Sequence, residues 1–146
     1  MTITQPSPIE HSEIPRRQIV AAIVVQDEKV LMVHNIKHGL RIEPTGGKIH
    51  DGETPEQAAL REAREELDIE IELVEKLGIA SIHTPEGEFD NHLFLARIIS
   101  GSPTIPEAEK KKLGGFRWYS IQELRSLPEL VPEVREALEE IERRMA

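Results

Sequence analysis

The segment AALREAREELDI, from Ala58 to Ile69, carries three glutamates whose spacing has chemical consequences. A helix advances about 100° per residue, so Glu62, Glu65 and Glu66 fall within one arc, beside an apolar arc of Ala59, Leu60, Ala63 and Leu67. Carboxylates placed this way border a buried stripe and repel one another. The cost is about 0.2–0.5 kcal/mol per like-charged pair, with about 0.3–1 kcal/mol more for acids near a helix C-terminus. A stable domain absorbs that cost, so an isolated EAREE string is compatible with a solvated acidic face as well as with a cation site. Clustered oxygen donors without sulfur are what a hard divalent ion selects, and magnesium suits sites completed by phosphate oxygens.

The residues upstream separate the two readings. Gly46 and Gly47 allow a sharp turn with exposed backbone carbonyls, Gly52 and Glu53 shape the entry to the helix, and Arg61 stands where it can pair with a carboxylate. The helix has a marked start. Thr54 can cap it, Pro55 suits the first helical position, and Gln57 completes a capping box. Asp68 sits at its end, and aspartate tolerates the left-handed conformation that stops a helix.

Around this unit, QIVAAIVV, the polar turn QDEK and VLMVHN predict a β-hairpin. Residues 41–50, RIEPTGGKIH, read as a loop with short extended pieces. After the helix come a strand through IEIELVEKLGIASIHT, a turn at PEGEFDN, a strand at HLFLARII, a loop from Gly101 to Gly115 and a last strand at FRWYSI. In PEVREALEEIERRM, Val134, Leu138, Ile141 and Met145 lay one apolar stripe along a helix that should pack on the sheet. The order β, β, loop, α, β, β, loop, β, α predicts an α/β fold with a mixed sheet covered by helices.

The chain has 146 residues, enough for one domain. Residues 1–15 lack an apolar period and read as a flexible arm, leaving 16–146 as the single domain. A net charge of -9 disfavours a nucleic-acid polymer, whose binding needs lysine and arginine to displace counterions. A small phosphorylated ligand remains open if cations bridge the two. There is no cysteine, which removes disulfides, thiolate metal sites and thiol nucleophiles. No apolar run approaches a membrane span, and the start lacks a signal-like apolar core, so the expected location is the cytoplasm, away from membranes.

Gly47, five residues, Glu53, seven residues, then Arg61-Glu62-Ala63-Arg64-Glu65-Glu66-Leu67-Asp68-Ile69 resembles the signature box of the Nudix hydrolases over 23 positions, Gly47 to Ile69. Every charged position of that pattern is present. The one departure is Asp68, where the family pattern has glycine. The resemblance implies a Nudix-type α/β/α sandwich with a mixed β-sheet, and hydrolysis of a nucleoside diphosphate linked to another group. It implies that Glu62, Glu65 and Glu66, with a carbonyl near Gly47, hold Mg2+, or alternatively Mn2+. By the same analogy Glu65 or Glu66 is the general base, with Glu86, Glu88, Glu107 and Glu109 as loop alternatives. Glu53 and Arg61 would form a salt bridge fixing the loop, with Glu53 a possible contributor to metal binding. Lys48 and Arg41 are candidates for phosphate contact, with Arg17 behind them, and each is equally readable as solvated surface.

The short chain, the EPTGGK lead-in and the RWYSIQEL ending look most like small MutT-like pyrophosphohydrolases that convert a (d)NTP to the monophosphate and pyrophosphate. Pro85, 16 residues after Ile69, resembles the spacing in ADP-ribose hydrolases, so ADP-ribose or a nucleotide sugar is the alternative substrate. A catalytically silent nucleotide-binding domain is the alternative outside the class. A homodimer is compatible with the chain but nothing in it demands one.

Overall fold

The computed structural model describes residues 15–145. The expected N-terminal arm lies almost wholly outside them. Seven strands, β1 (Arg16–Gln26), β2 (Lys29–Asn35), β3 (Arg41–Glu43), β4 (Thr45–Lys48), β5 (Glu70–Thr84), β6 (Gly87–Ser100) and β7 (Leu113–Tyr119), form a mixed sheet. Its path runs β3-β2-β1-β6-β5, with β4 paired to β1 and β7 paired to β2. Only the β1–β6 pairing is parallel among these. Helices α1 (Pro55–Leu67), α2 (Ile121–Arg125) and α3 (Pro132–Met145) cover it, with a 3-10 turn at Glu107–Glu109.

The β-branched run of β1 is buried over Val20, Ala21, Ala22, Ile23 and Val24, and alternation sends its side chains to two cores. Val20, Ala22 and Val24 join Ala59, Ala63, Leu67 and Phe94 beneath α1. Ile23 joins Met32, Leu95, Leu124, Val134, Leu138 and Ile141 beneath α2 and α3. Helices on opposite faces of a mixed sheet make the α/β/α sandwich that the resemblance implies. The stripe of α3 packs as expected, with Val134, Leu138 and Ile141 buried and Met145 packed against the same core. Phe116 and Trp118 pack against the core under α1.

Four local expectations change. Residues 41–50 supply two strands, because β1 and β2 offer partners that a glycine-rich local sequence does not advertise. The turn over PEGEFDN shrinks to Pro85 and Glu86, since pairing from Thr84↔Gly87 onward makes Gly87–Asn91 part of β6. The loop from Gly101 ends before Leu113, where β7 begins. Ser120 and Ile121 leave the last strand, because Ser120 and Glu123 form a capping box that opens α2.

Candidate active site

The catalytic candidates lie along one helix and the strand beneath it because α1 starts and stops where its sequence says. Thr54 accepts from the Gln57 backbone and Gln57 answers at the Thr54 backbone, with Pro55 in the first turn. At the other end Asp68 takes φ 55 and ψ 42, the left-handed stop expected of a residue replacing glycine, and its N–H donates to the Arg64 carbonyl. Between these caps, α1 packs on β4, whose Gly46 and Gly47 run beside β1 opposite Ala21 and Val20.

Glu66 is buried under this contact, at 1% exposure. Its Oε1 accepts from the Thr45 hydroxyl at 2.7 Å and from the Gly46 N–H at 3.0 Å. Its Oε2 lies 2.8 Å from the Lys112 ammonium. Burial pushes its pKa above the ordinary carboxylate value, against the opposing pull of Lys112. Glu62 is also buried, and its carboxylate fills the space that a side chain at Gly47 would need. Burial first, and then the Glu66 charge, push Glu62 up to about 7, with Arg61 pulling the other way from 3.6 Å. Glu65 is exposed and accepts from Arg61 Nη1 at 3.0 Å.

Arg61 is the knot of the loop. Its Nε and Nη2 donate to the two oxygens of Glu53 at 2.7 and 3.0 Å, and Nη2 also donates to the Lys48 carbonyl at 2.8 Å. Glu53 in turn accepts from the His50 N–H at 2.9 Å. The Arg61 hydrogen bonds, with that from His50 behind them, hold the Glu53 carboxyl down at about 2. Glu53 and Arg61 therefore join the end of β4, the following loop and α1 into one unit.

A cleft of about 700 Å³ opens from these groups. Gly47, Arg61, Glu62 and Glu65 line it, with Lys48 and Arg41. Arg41 is engaged with Glu43 at 3.0 Å. Of the acids expected in loops, Glu109 lines the cleft, whereas Glu107 pairs with Lys110, and Glu88 lies in β6, where pairing with β1 places it, and meets Arg16. Arg17 stacks on Phe89. Sequence reasoning did not single out Lys112, Thr45, Asn35, Asn91 or Glu133. Lys112 is one of three consecutive lysines with no local mark, and Asn91 fell in the segment read as a turn. The lining also includes Asn35, Phe89, Asn91 and Glu133. Asn91 donates to Glu133 at 3.2 Å, and its buried Oδ1 has no partner among the described residues.

The donor set suits a hard divalent cation in kind, being all oxygen, and Glu62 offers a buried carboxylate whose partner among the described residues is Arg61 at 3.6 Å. As the side chains stand, no three acidic or histidine groups among the described residues converge on one point. Arg61 draws Glu65 aside, while Thr45, Gly46 and Lys112 occupy Glu66.

A family model described as NUDIX domain matches residues 15–141, so the chain belongs to that family. Over 114 residues it is 30% identical to the protein of Mus musculus named oxidized purine nucleoside triphosphate hydrolase, covering 74% of this chain and 69% of that one. A solved MutT NUDIX hydrolase from Burkholderia pseudomallei is 25% identical, with 87% of this chain and 98% of that chain covered and a TM-score of 0.77. A NUDIX hydrolase from Nitrosomonas europaea shares the fold at 23% identity, covering 89% and 90%, with a TM-score of 0.78. The protein is thus a hydrolase of MutT-like type, and Nudix hydrolases generally use divalent metals.

Proposed function

We propose that this protein is a magnesium-dependent hydrolase that cleaves the phosphoanhydride chain of a nucleoside diphosphate derivative, taking a (d)NTP and water to the monophosphate and pyrophosphate. The observation that carries the reading is one cleft of about 700 Å³ that Glu62, Glu65 and Lys48 line together with Asn35, Phe89 and Asn91, so that groups suited to phosphates and groups suited to a base share a single space. The name of the mouse relative, which acts on oxidised purine nucleoside triphosphates, supports the same substrate class.

Glu62, Glu65 and Glu66, with the backbone at Gly47, would hold the ion. Bound there, magnesium supplies neutralisation of phosphate oxygens and a more acidic water. Glu65 takes the proton of the attacking water, since it is the exposed member of the trio and is tied by a single ion pair. Glu53 and Arg61 position the loop rather than react. Lys48 and Arg41 meet the phosphates at the rim. Manganese would serve in place of magnesium.

Pro85 sits in the turn between β5 and β6, next to His83 and Thr84 of the cleft lining, and ADP-ribose or a nucleotide sugar is the second substrate class to test. A panel of (d)NTPs, oxidised (d)NTPs, ADP-ribose and nucleotide sugars, with products identified by phosphorus NMR, tests the reading. Expected are monophosphate and pyrophosphate from a triphosphate, no turnover in EDTA, and a kcat at least about a hundredfold lower in Glu65→Gln and Glu66→Gln. Absence of hydrolysis across the panel with either metal would favour a silent nucleotide-binding domain.

A further inference from the structure

A divalent cation on the outer oxygen of Glu66 would be repelled by a cation already in place there. Both acceptor positions on Oε1 are taken by Thr45 and Gly46, leaving Oε2 as the free oxygen, and the Lys112 ammonium lies 2.8 Å from it. A magnesium ion would sit about 2.0–2.1 Å from the same atom. Lys112 is not loosely placed. Its carbonyl accepts from the Ile36 N–H and its N–H donates to the Glu109 carbonyl, both within 3.0 Å. Its segment is also pinned to the end of α1, where the Thr104 N–H donates to the Leu67 carbonyl. Within the same turn Glu109, 3.9 Å from the ammonium, faces the cleft.

We propose that Lys112 is a resident counter-ion of Glu66, which a divalent cation must displace to use that carboxylate, so that metal binding frees the Lys112 side chain into the cleft. This rests on the metal-site reading above. The lysine keeps a deeply buried carboxylate neutralised until metal arrives, and so sets the metal affinity by competition. Its Nζ then becomes available to Glu109 or to a substrate phosphate.

Manganese binding without nucleotide, followed by electron paramagnetic resonance, tests this in the wild type, Lys112→Met and Lys112→Arg at pH 8. Removing the competitor should tighten binding about tenfold in Lys112→Met, from the strength of a charge-assisted contact, while Lys112→Arg stays near wild type. Amine acylation read by mass spectrometry supplies the second measurement on the unaltered chain. Labelling of Lys112 should rise severalfold on adding Mg2+, with Lys29 as the internal control. Equal manganese affinity in Lys112→Met and wild type, together with labelling indifferent to Mg2+, would overturn the proposal and leave the metal site standing. No manganese binding in any of the three proteins would overturn both.

Discussion

Gly47 has no side chain, and the Glu62 carboxylate occupies the volume that one would need. A Cβ there meets the far end of a flexible side chain, so Gly47→Ala should move Glu62 and leave the backbone nearly undisturbed. Expected is a fall in kcat/KM of about a hundredfold from a misplaced site group, with stability changed by no more than about 1 kcal/mol. Hydrolysis assays beside thermal melts separate the two, and a variant that melts early with normal kcat/KM would refute the contact. Glu62 also has a signature in pH. Its carboxyl is held at about 7 against an ordinary 4.5, so between those values the metal-free native state keeps a proton that the unfolded chain has lost. The stability it contributes is full below about 4.5 and falls as pH rises through 7, by something on the order of 3 kcal/mol. Urea unfolding in EDTA at pH 5 and pH 7.5 should show this fall in the wild type relative to Glu62→Gln. A wild-type-minus-variant difference that is constant with pH would remove the shift.

At the scale of elements, α1 was legible to the residue because its signals are local. The capping box and Pro55 act within one turn and the apolar stripe within one helix, and they form as read. Asp68 permits a direct check, since its φ of 55 strains any residue with a Cβ and its charge faces the negative end of the helix. Asp68→Gly should raise stability by up to about 1 kcal/mol, and Asp68→Ala should lower it by a similar amount, both measured by urea unfolding. If both variants shift the same way, the left-handed stop is not what governs this end. Elements that depend on distant partners were less visible. The TGGK of β4 has little intrinsic strand character and becomes a strand only because β1 lies beside it. The five residues of α2 are too few for a helical period, although Ser120 and Glu123 carried its capping signal in plain view. In the site, the glutamate trio was readable from spacing and resemblance, whereas Lys112 reaches Glu66 across 46 positions of sequence, a pairing that no local pattern encodes.

On the scale of the whole molecule, the sheet divides the interior into two cores with different duties. The core beneath α1 carries the glutamates, while α3 seals the other face, with only its N-terminal end, at Pro132 and Glu133, reaching the cleft. Leu67 and Ile141 are both fully buried, one in each core. Truncating either to alanine should cost about 2–5 kcal/mol, since each leaves a cavity in a packed interior. Their effects on catalysis should part. Leu67 is the last residue of α1, one and two positions from Glu66 and Glu65, and its carbonyl holds Thr104 of the segment that ends at Lys112. Ile141 lies in the C-terminal half of α3, on the face of the sheet away from the trio. At a temperature where circular dichroism finds both variants folded, Leu67→Ala should weaken manganese binding and lower kcat by about tenfold or more, and Ile141→Ala should keep both near wild type. Equal catalytic losses in the two variants would mean that the sheet transmits disturbance between its faces, and that the site depends on the whole interior instead of on the α1 layer.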